Sequence, residues 1–367
     1  MSEPASARPP VRVAVVGLGW AGRSIWLPRL IAHPDFTVTA VVDSDPAARA
    51  AAAEQAPGAA TLAWPTELTR EQADLAVVAV PNHLHTEVGA ELLTRGIPVF
   101  LEKPVCLSTA EAERLAAAER SGGSVLLAGS AARHRGDVRE LCAVVGGLGR
   151  VRHIEVAWVR SRGIPRAGGW FTRRDLAGGG AMVDLGWHLL DTLVPLLGAA
   201  RFVQITGTLS DDFLHDRRWA AAWREDQPAD TGHRDVEDTA RAFLVSDEGV
   251  SVALRASWAS HQARDTTTIT VEAAGGTATL RCTFGFSPNR QGGATLSVTR
   301  DGETTPVAIP HEEIGLEYVR QLDTLPAALA DPLARGSAAA EAARTIAVIE
   351  RFYESALEFR ALAPTGR

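Results

Sequence analysis

The sequence predicts an α/β chain of two domains, a doubly wound parallel sheet followed by a second domain built on an antiparallel sheet. Three observations carry that expectation. From Val11 to about Ser130, short apolar runs alternate with amphipathic stretches. Beyond about Gly149 the pattern becomes strict alternation with short Gly-containing turns. A chain of 367 residues with 46% apolar composition is long enough to bury two cores.

In the first half, "VRVAVVG", "TVTAVVD", "DLAVVAV", "PVFLEK" and "SVLLAGS" read as strands, since near-continuous runs of this length suit a sheet covered on both faces. Between them Ala21–Ala32, Pro46–Ala56, His83–Arg95 and Ser108–Arg120 have helical spacing, the last opening on the capping box Ser108 to Glu111. Repeated βαβ units give a parallel sheet with right-handed crossovers. In the second half, "VRHIEVAWVR", "RFVQITGTL", "DTARAFLVS", "GVSVALRASWAS", "TTTITVEAAGGTATLRC" and "ATLSVTR" alternate as antiparallel strands do. One helix lies between the first two of these, and two more, Glu313–Leu329 and Ser337–Leu362, close the chain. The resulting division is a disordered 1–10, a first domain over 11–130 and a second over 131–367, with the closing helix expected to pack back on the first.

The formal charge of −7 comes without a basic stripe, which argues against nucleic acid and for a small-molecule partner. Cys106, Cys142 and Cys282 lie too far apart in the chain to form a CxxC pair or a Cys/His zinc spacing. No apolar run has signal-peptide or membrane-span character, so a cytoplasmic protein is expected.

Gly17-Leu18-Gly19-Trp20-Ala21-Gly22 follows a strand and opens a helix, the context in which GxGxxG admits a dinucleotide pyrophosphate. Asp43 ends the next strand, where a carboxylate accepts from the adenosine ribose and repels a 2′-phosphate, favouring NAD over NADP. The alternative is a helix-capping Asp43 after a plain glycine turn. Pro81, Asn82 and His85 follow "VAV" at the carboxyl edge of the sheet, as cofactor contacts or as a helix cap and a surface residue. Glu102 and Lys103 lie at the same edge, and a cis Lys103–Pro104 bond would turn the ammonium toward a ligand.

In "GGGAMVDLGWHLLD", Asp184, His188 and Asp191 are spaced four and three apart, which stacks them on one stripe of an α-helix whose other positions are apolar. A metal, a hydrogen-bond network or a substrate must satisfy that stripe. A metal is disfavoured, because no second His/Glu cluster accompanies it and a nearby lysine would repel a cation.

Taken together, Gly17–Gly22, Glu102-Lys103-Pro104 and the Gly178–Asp191 motif resemble the glucose–fructose oxidoreductase / inositol dehydrogenase (Gfo/Idh/MocA) family over nearly the whole chain. Other segments that carry the likeness are "GSAARHRGDVREL", "GGWFTRRDLAGGG" and "IERFYESA". The resemblance implies an N-terminal Rossmann domain and a C-terminal α/β domain with a large open, mainly antiparallel sheet. It implies NAD-dependent interconversion of a secondary alcohol and a ketone on a cyclic polyol, sugar or aminocyclitol. His188 would be the general base, Lys103 the charge stabiliser, and Asp184 the residue that positions His188 and the hydroxyl. Arg133, Arg160 and Trp170 join these three as implied substrate contacts, with Arg162 and Arg166 on neighbouring loops. Asp191 is read as structural. A homodimer or homotetramer through the open sheet is expected.

The stretch 210–238 departs from the family pattern. Its Trp219 and Trp223, flanked by Arg217, Arg218 and Arg224, read either as a lid over a sugar ring or as a subunit contact or surface staple. Two other functions stay open: a glycosidase driven by transient redox chemistry, and a non-catalytic NAD-dependent sensor.

Overall fold

The computed structural model describes residues 9–166, 169–221 and 232–362. The chain divides into two compact units, one of Met1–Val105, Ala110–Gly129 and Tyr318–Ala340, the other of Cys106–Thr109, Ser130–Glu317 and Glu341–Arg367.

The first unit holds a parallel sheet of β1 (Val11–Val16), β2 (Phe36–Val42), β3 (Ala60–Leu62), β4 (Leu75–Val78), β5 (Val99–Leu101) and β6 (Leu126–Ala128). Their spatial order is β3-β2-β1-β4-β5-β6, so the chain reverses direction across the sheet between β1 and β4, the switch point where open α/β sheets bind ligands. The apolar runs are explained by burial: Val13, Ala14, Val15, Leu75, Ala76, Val77 and Phe100 have no exposed surface. In this sheet β3 escaped the sequence reading, because two half-buried residues about an exposed Thr61 are too few to show a pattern. The helix after β1 is a π-helix over Ala21–Trp26 that continues as an α-helix over Leu27–Ala32. Asp45 caps the next helix by accepting from Ala47 N, so that role does not fall to Asp43. Helix Leu316–Ala330 returns to this unit, where Tyr318 meets the Trp26 ring edge-on and Gln321 donates to Ala128 O.

The second unit is built on an eight-stranded sheet, β7 (Val151–Val159), β8 (Phe202–Ser210), β9 (Thr239–Ser246), β10 (Ser251–Ser257), β11 (Thr266–Ala273), β12 (Gly276–Cys282), β13 (Thr295–Arg300) and β14 (Glu303–Val307). The order is β14-β13-β12-β11-β7-β10-β9-β8. Every pair is antiparallel except one: β10 runs parallel to β7, with Ala256 opposite Trp158. Alternation along one strand is blind to its neighbour's direction, so this pairing was not legible in sequence. Parallel pairing puts the carboxyl ends of β7 and β10 at the same edge. The buried helix Met182–Leu197 packs on both strands, and Cys282 is a buried thiol at the end of β12.

Candidate active site

In the first unit the glycine turn fits a dinucleotide. A Cβ on Gly17 would lie 2.7 Å from Ala79 and Val80 backbone atoms, and one on Gly22 would lie 1.9 Å from Gly17 O. Both glycines are therefore needed by the protein's own packing. A Cβ on Gly19 would meet nothing within 4 Å, so the exposed middle of the turn is open to a pyrophosphate. Trp20 and Ala21, both half-buried, start the helix that follows. Asp43 Oδ2 accepts from Leu18 N at 2.7 Å and Oδ1 from Asp45 N at 2.9 Å, which ties this carboxylate to the glycine turn. Arg49 wraps the same corner, donating to Asp43 O and Ser44 O.

The Lys103–Pro104 peptide is cis, as the sequence suggested, and Lys103 is half-buried just beyond β5. Glu102 is buried; it accepts from the Trp26 indole N–H at 3.2 Å and from Lys103 N, so its oxygens brace the turn. His85 requires a correction. Expected either at the cofactor or on the surface, it is buried, with Nδ1 at 2.6 Å from Pro104 O and Nε2 at 2.8 Å from Val80 O. Burial drops its pKa to about 4, so the ring is neutral and has a single N–H to share between two carbonyls. It joins the loop after β4 to the Lys103 turn. Asn82 is buried at the start of a 3-10 turn, and Pro81 O accepts from Leu84 N.

The second unit answers why polar groups are lined up on an apolar helix. From Ala181 to Leu193 every residue is buried except Asp184 and His188. The first turns are a π-helix over Met182–Gly186, which passes into an α-helix over Trp187–Leu197, so the stripe is not a plain α-helical one. Such local widening recurs at functional sites. Asp184 Oδ2 accepts from the Trp258 indole N–H at 2.9 Å. The His188 ring packs on Trp158 at 5.6 Å, whose other neighbours are Phe284 and the Arg160 guanidinium, 4.9 Å from its centroid. Trp158 and Arg160 come from the end of β7 and Trp258 from the end of β10, brought together by the parallel pairing.

The glycines ahead of the helix are read by residues that sequence reasoning missed. A Cβ on Gly179 would lie 1.9 Å from Tyr353 Oη, and one on Gly180 would lie 1.9 Å from Glu237 O. Glu237 is buried and accepts from Gly180 N, from Met182 N at 2.9 Å and from Tyr353 Oη at 2.8 Å. Burial pushes its pKa above the usual carboxylate range, while these donors oppose the shift. Burial and the Glu237 charge hold the Tyr353 phenol well above its ordinary value, so it stays a donor. Three adjacent glycines hinted at a close approach, but a lone Glu before a strand carries no signal.

Arg133, expected at the substrate, has its guanidinium between Asp191 and Glu341, both within hydrogen-bonding reach. Asp191, on the helix, is thus an ion-pair partner of Arg133. Burial lifts its pKa to about 6 against the pull of Arg133. Trp170 starts a short 3-10 turn with its ring against Phe171, itself 6.0 Å from Trp258. Trp219 stacks with Phe213 and His261 at 4.6 and 5.2 Å, a local aromatic cluster that favours the staple reading. Its partner in the lid expectation, Trp223, lies outside the described residues, as does Arg224. Among the described residues no His/Cys/Asp/Glu cluster could hold a metal, and no helix is long and apolar enough to cross a membrane.

A dinucleotide turn in one unit and, in the other, an acid and a histidine surfacing from a buried helix define an NAD(P)-dependent oxidoreductase of CH–OH groups. Residues 11–130 match the oxidoreductase family with an NAD-binding Rossmann fold, and residues 138–293 match the GFO/IDH/MocA C-terminal domain. The chain belongs to the Gfo/Idh/MocA family of oxidoreductases. It is 62% identical over 347 residues, 94% of this chain and 96% of the other, to a protein of Amycolatopsis mediterranei (strain S699) provisionally named the oxidoreductase subunit of a UDP-kanosamine synthase. Among solved structures it is similar to GenD2 from gentamicin A biosynthesis in complex with NAD, with TM-score 0.75, 25% identity and 98% of each chain covered. It shares its fold with KijD10, a 3-ketoreductase from Actinomadura kijaniata solved with NADP and TDP-benzene, at TM-score 0.75 and 20% identity over 94% of this chain and 98% of that one.

Proposed function

We propose that this oxidoreductase interconverts a secondary alcohol and a ketone on the ring of a sugar carried by a nucleoside diphosphate, with NAD(H) as cofactor. The observation that carries the chemistry is that Asp184 and His188 alone are partly exposed along an otherwise buried helix stretch. The substrate class is supported by the near full-length likeness to the UDP-kanosamine synthase subunit. NAD rather than NADP is supported by Asp43, whose carboxylate is fixed at the glycine turn where a 2′-phosphate would add a second negative charge.

The bound cofactor supplies the hydride acceptor. His188 takes the hydroxyl proton at an imidazole nitrogen, a task suited to a histidine at neutral pH. Asp184, oriented by the Trp258 indole, holds the reacting hydroxyl and the imidazole in register. Lys103 meets the oxygen as negative charge develops on it, and in the reverse direction polarises the ketone. The aromatic wall of Trp158 and Trp170 and the cation of Arg160 are the sugar-facing contacts in this reading.

The test is incubation with NAD and UDP-glucose, dTDP-glucose, free glucose or inositol at mildly alkaline pH, following NADH absorbance and the ketone product. NADH formed faster with a nucleotide sugar than with free sugars or inositol is the expected result. Glycoside cleavage without NADH, or NAD binding with no turnover on any of them, would overturn it.

A further inference from the structure

We infer that Glu237 is a positioning residue for the candidate site, fixing the π-turn that presents Asp184 and His188. The inference rests on the function proposed above. It begins from which atoms Glu237 holds. The N–H groups of Gly180 and Met182 belong to the unpaired donors that every helix start leaves over, and both are spent on the Glu237 carboxylate. The carbonyls of the same two residues carry the site. Gly180 O accepts from Asp184 N at 3.0 Å, and Met182 O accepts the N–H of Trp187, the residue before His188. Gly180 and Met182 are therefore each one hydrogen bond from a residue that carries, or adjoins, a polar group of the site.

The partners of the Glu237 carboxyl place it as an acceptor: Gly180 N–H, Met182 N–H and Tyr353 O–H all donate to it, and these bonds oppose the rise in pKa that burial causes. Negative charge at a helix N-terminus is favoured by the helix dipole. The arrangement leaves no slack. Gly180 cannot carry a Cβ because Glu237 O already lies where it would stand, and Ala181 N donates to that same carbonyl at 3.1 Å. Arg174 covers the Tyr353 ring at 4.4 Å. On the other side, Asp238 O accepts from Trp258 N at 2.8 Å, and Trp258 is the residue that holds the Asp184 carboxylate. Two consecutive acids thus support Asp184 from its backbone and from its side chain.

The experiment compares the full-length Glu237→Gln, Tyr353→Phe, Asp184→Asn and His188→Ala variants, and each of the first two combined with Asp184→Asn. Glu237→Gln is expected to bind NAD as wild type does and to lose roughly tenfold or more in kcat, since the amide puts a donor group where the carboxyl accepts. The loss caused by Asp184→Asn should shrink at least about threefold in the Glu237→Gln background, because coupled residues are not additive. Tyr353→Phe keeps both backbone bonds and should lose only a few-fold, with coupling of the same sign. A merely structural role predicts lower thermal stability, normal kcat per folded molecule and multiplicative effects; that outcome overturns the inference. Should Glu237→Gln fail to fold, multiplicative effects of Tyr353→Phe and Asp184→Asn overturn it equally. Full turnover by Asp184→Asn and His188→Ala would sink the proposed function itself, whereas their inactivity beside a fully active Glu237→Gln sinks only this inference.

Discussion

Trp258 and Asp184 are joined by an indole N–H that donates to Oδ2 at 2.9 Å, linking the end of β10 to the first turn of the buried helix. Trp258 is fully buried while Asp184 is half-buried, so the bond is partly shielded from water. Trp258→Phe keeps the apolar bulk and deletes the donor. A hydrogen bond to a charged group is worth about 1.5–3 kcal/mol, so kcat/KM should fall by roughly ten- to a hundredfold. Steady-state kinetics beside a cofactor titration check this, with NAD affinity expected to be unchanged.

Lys103→Ala removes a positive charge felt mainly as the alkoxide develops. A loss in kcat of roughly a hundredfold or more is expected, with NAD still bound. His188→Ala should depress kcat too and flatten its rise from acidic to mildly alkaline pH, since the proton acceptor is gone. A folded Lys103→Ala variant with wild-type turnover would contradict the role given to that lysine.

The NAD preference proposed above rests on Asp43. Isothermal titration should show tighter binding of NAD than of NADP, and Asp43→Ala should narrow the gap by removing both a ribose acceptor and a charge that repels phosphate. Arg49, held against Asp43 O at 2.6 Å, is then the nearby cation left to meet a 2′-phosphate.

The Arg133, Asp191 and Glu341 group predicts a pH dependence of stability. Asp191 has a folded pKa of about 6, raised by burial above the 3.8 of an unperturbed Asp. Its protonated form is therefore favoured in the native state, so its contribution is complete below about pH 4 and disappears as pH rises through about 6. The swing is on the order of 3 kcal/mol. Urea titrations at pH 4.5 and 8 should show Asp191→Asn gaining stability relative to wild type at the higher pH. A constant difference between the two proteins would rule this out.

The amino-acid sequence alone settled whatever depends on near neighbours. Runs such as Val13–Val16 and Leu75–Val78 specify buried parallel strands, the Gly17–Gly22 turn specifies a dinucleotide corner, and Asp184 with His188 specify a polar pair on an apolar helix. Each is written in periodicities of two to four residues or in one turn's backbone demands. Tertiary structure alone decided which charge meets which. Arg133 and His85 looked like ligand contacts because sequence shows a side chain's chemistry but not what folds against it. Arg133 is taken by Glu341, 208 residues away, and His85 by the carbonyls of Val80 and Pro104. The parallel β7–β10 pair, which sets Trp158 and Trp258 at one edge, and the reach of Glu237 to Gly180 likewise arise from contacts between distant segments. Burial is the physical reason: once out of water, a charge or an N–H must take whichever partner the packing provides, and that partner is fixed by the arrangement of strands in space rather than by their spacing along the chain.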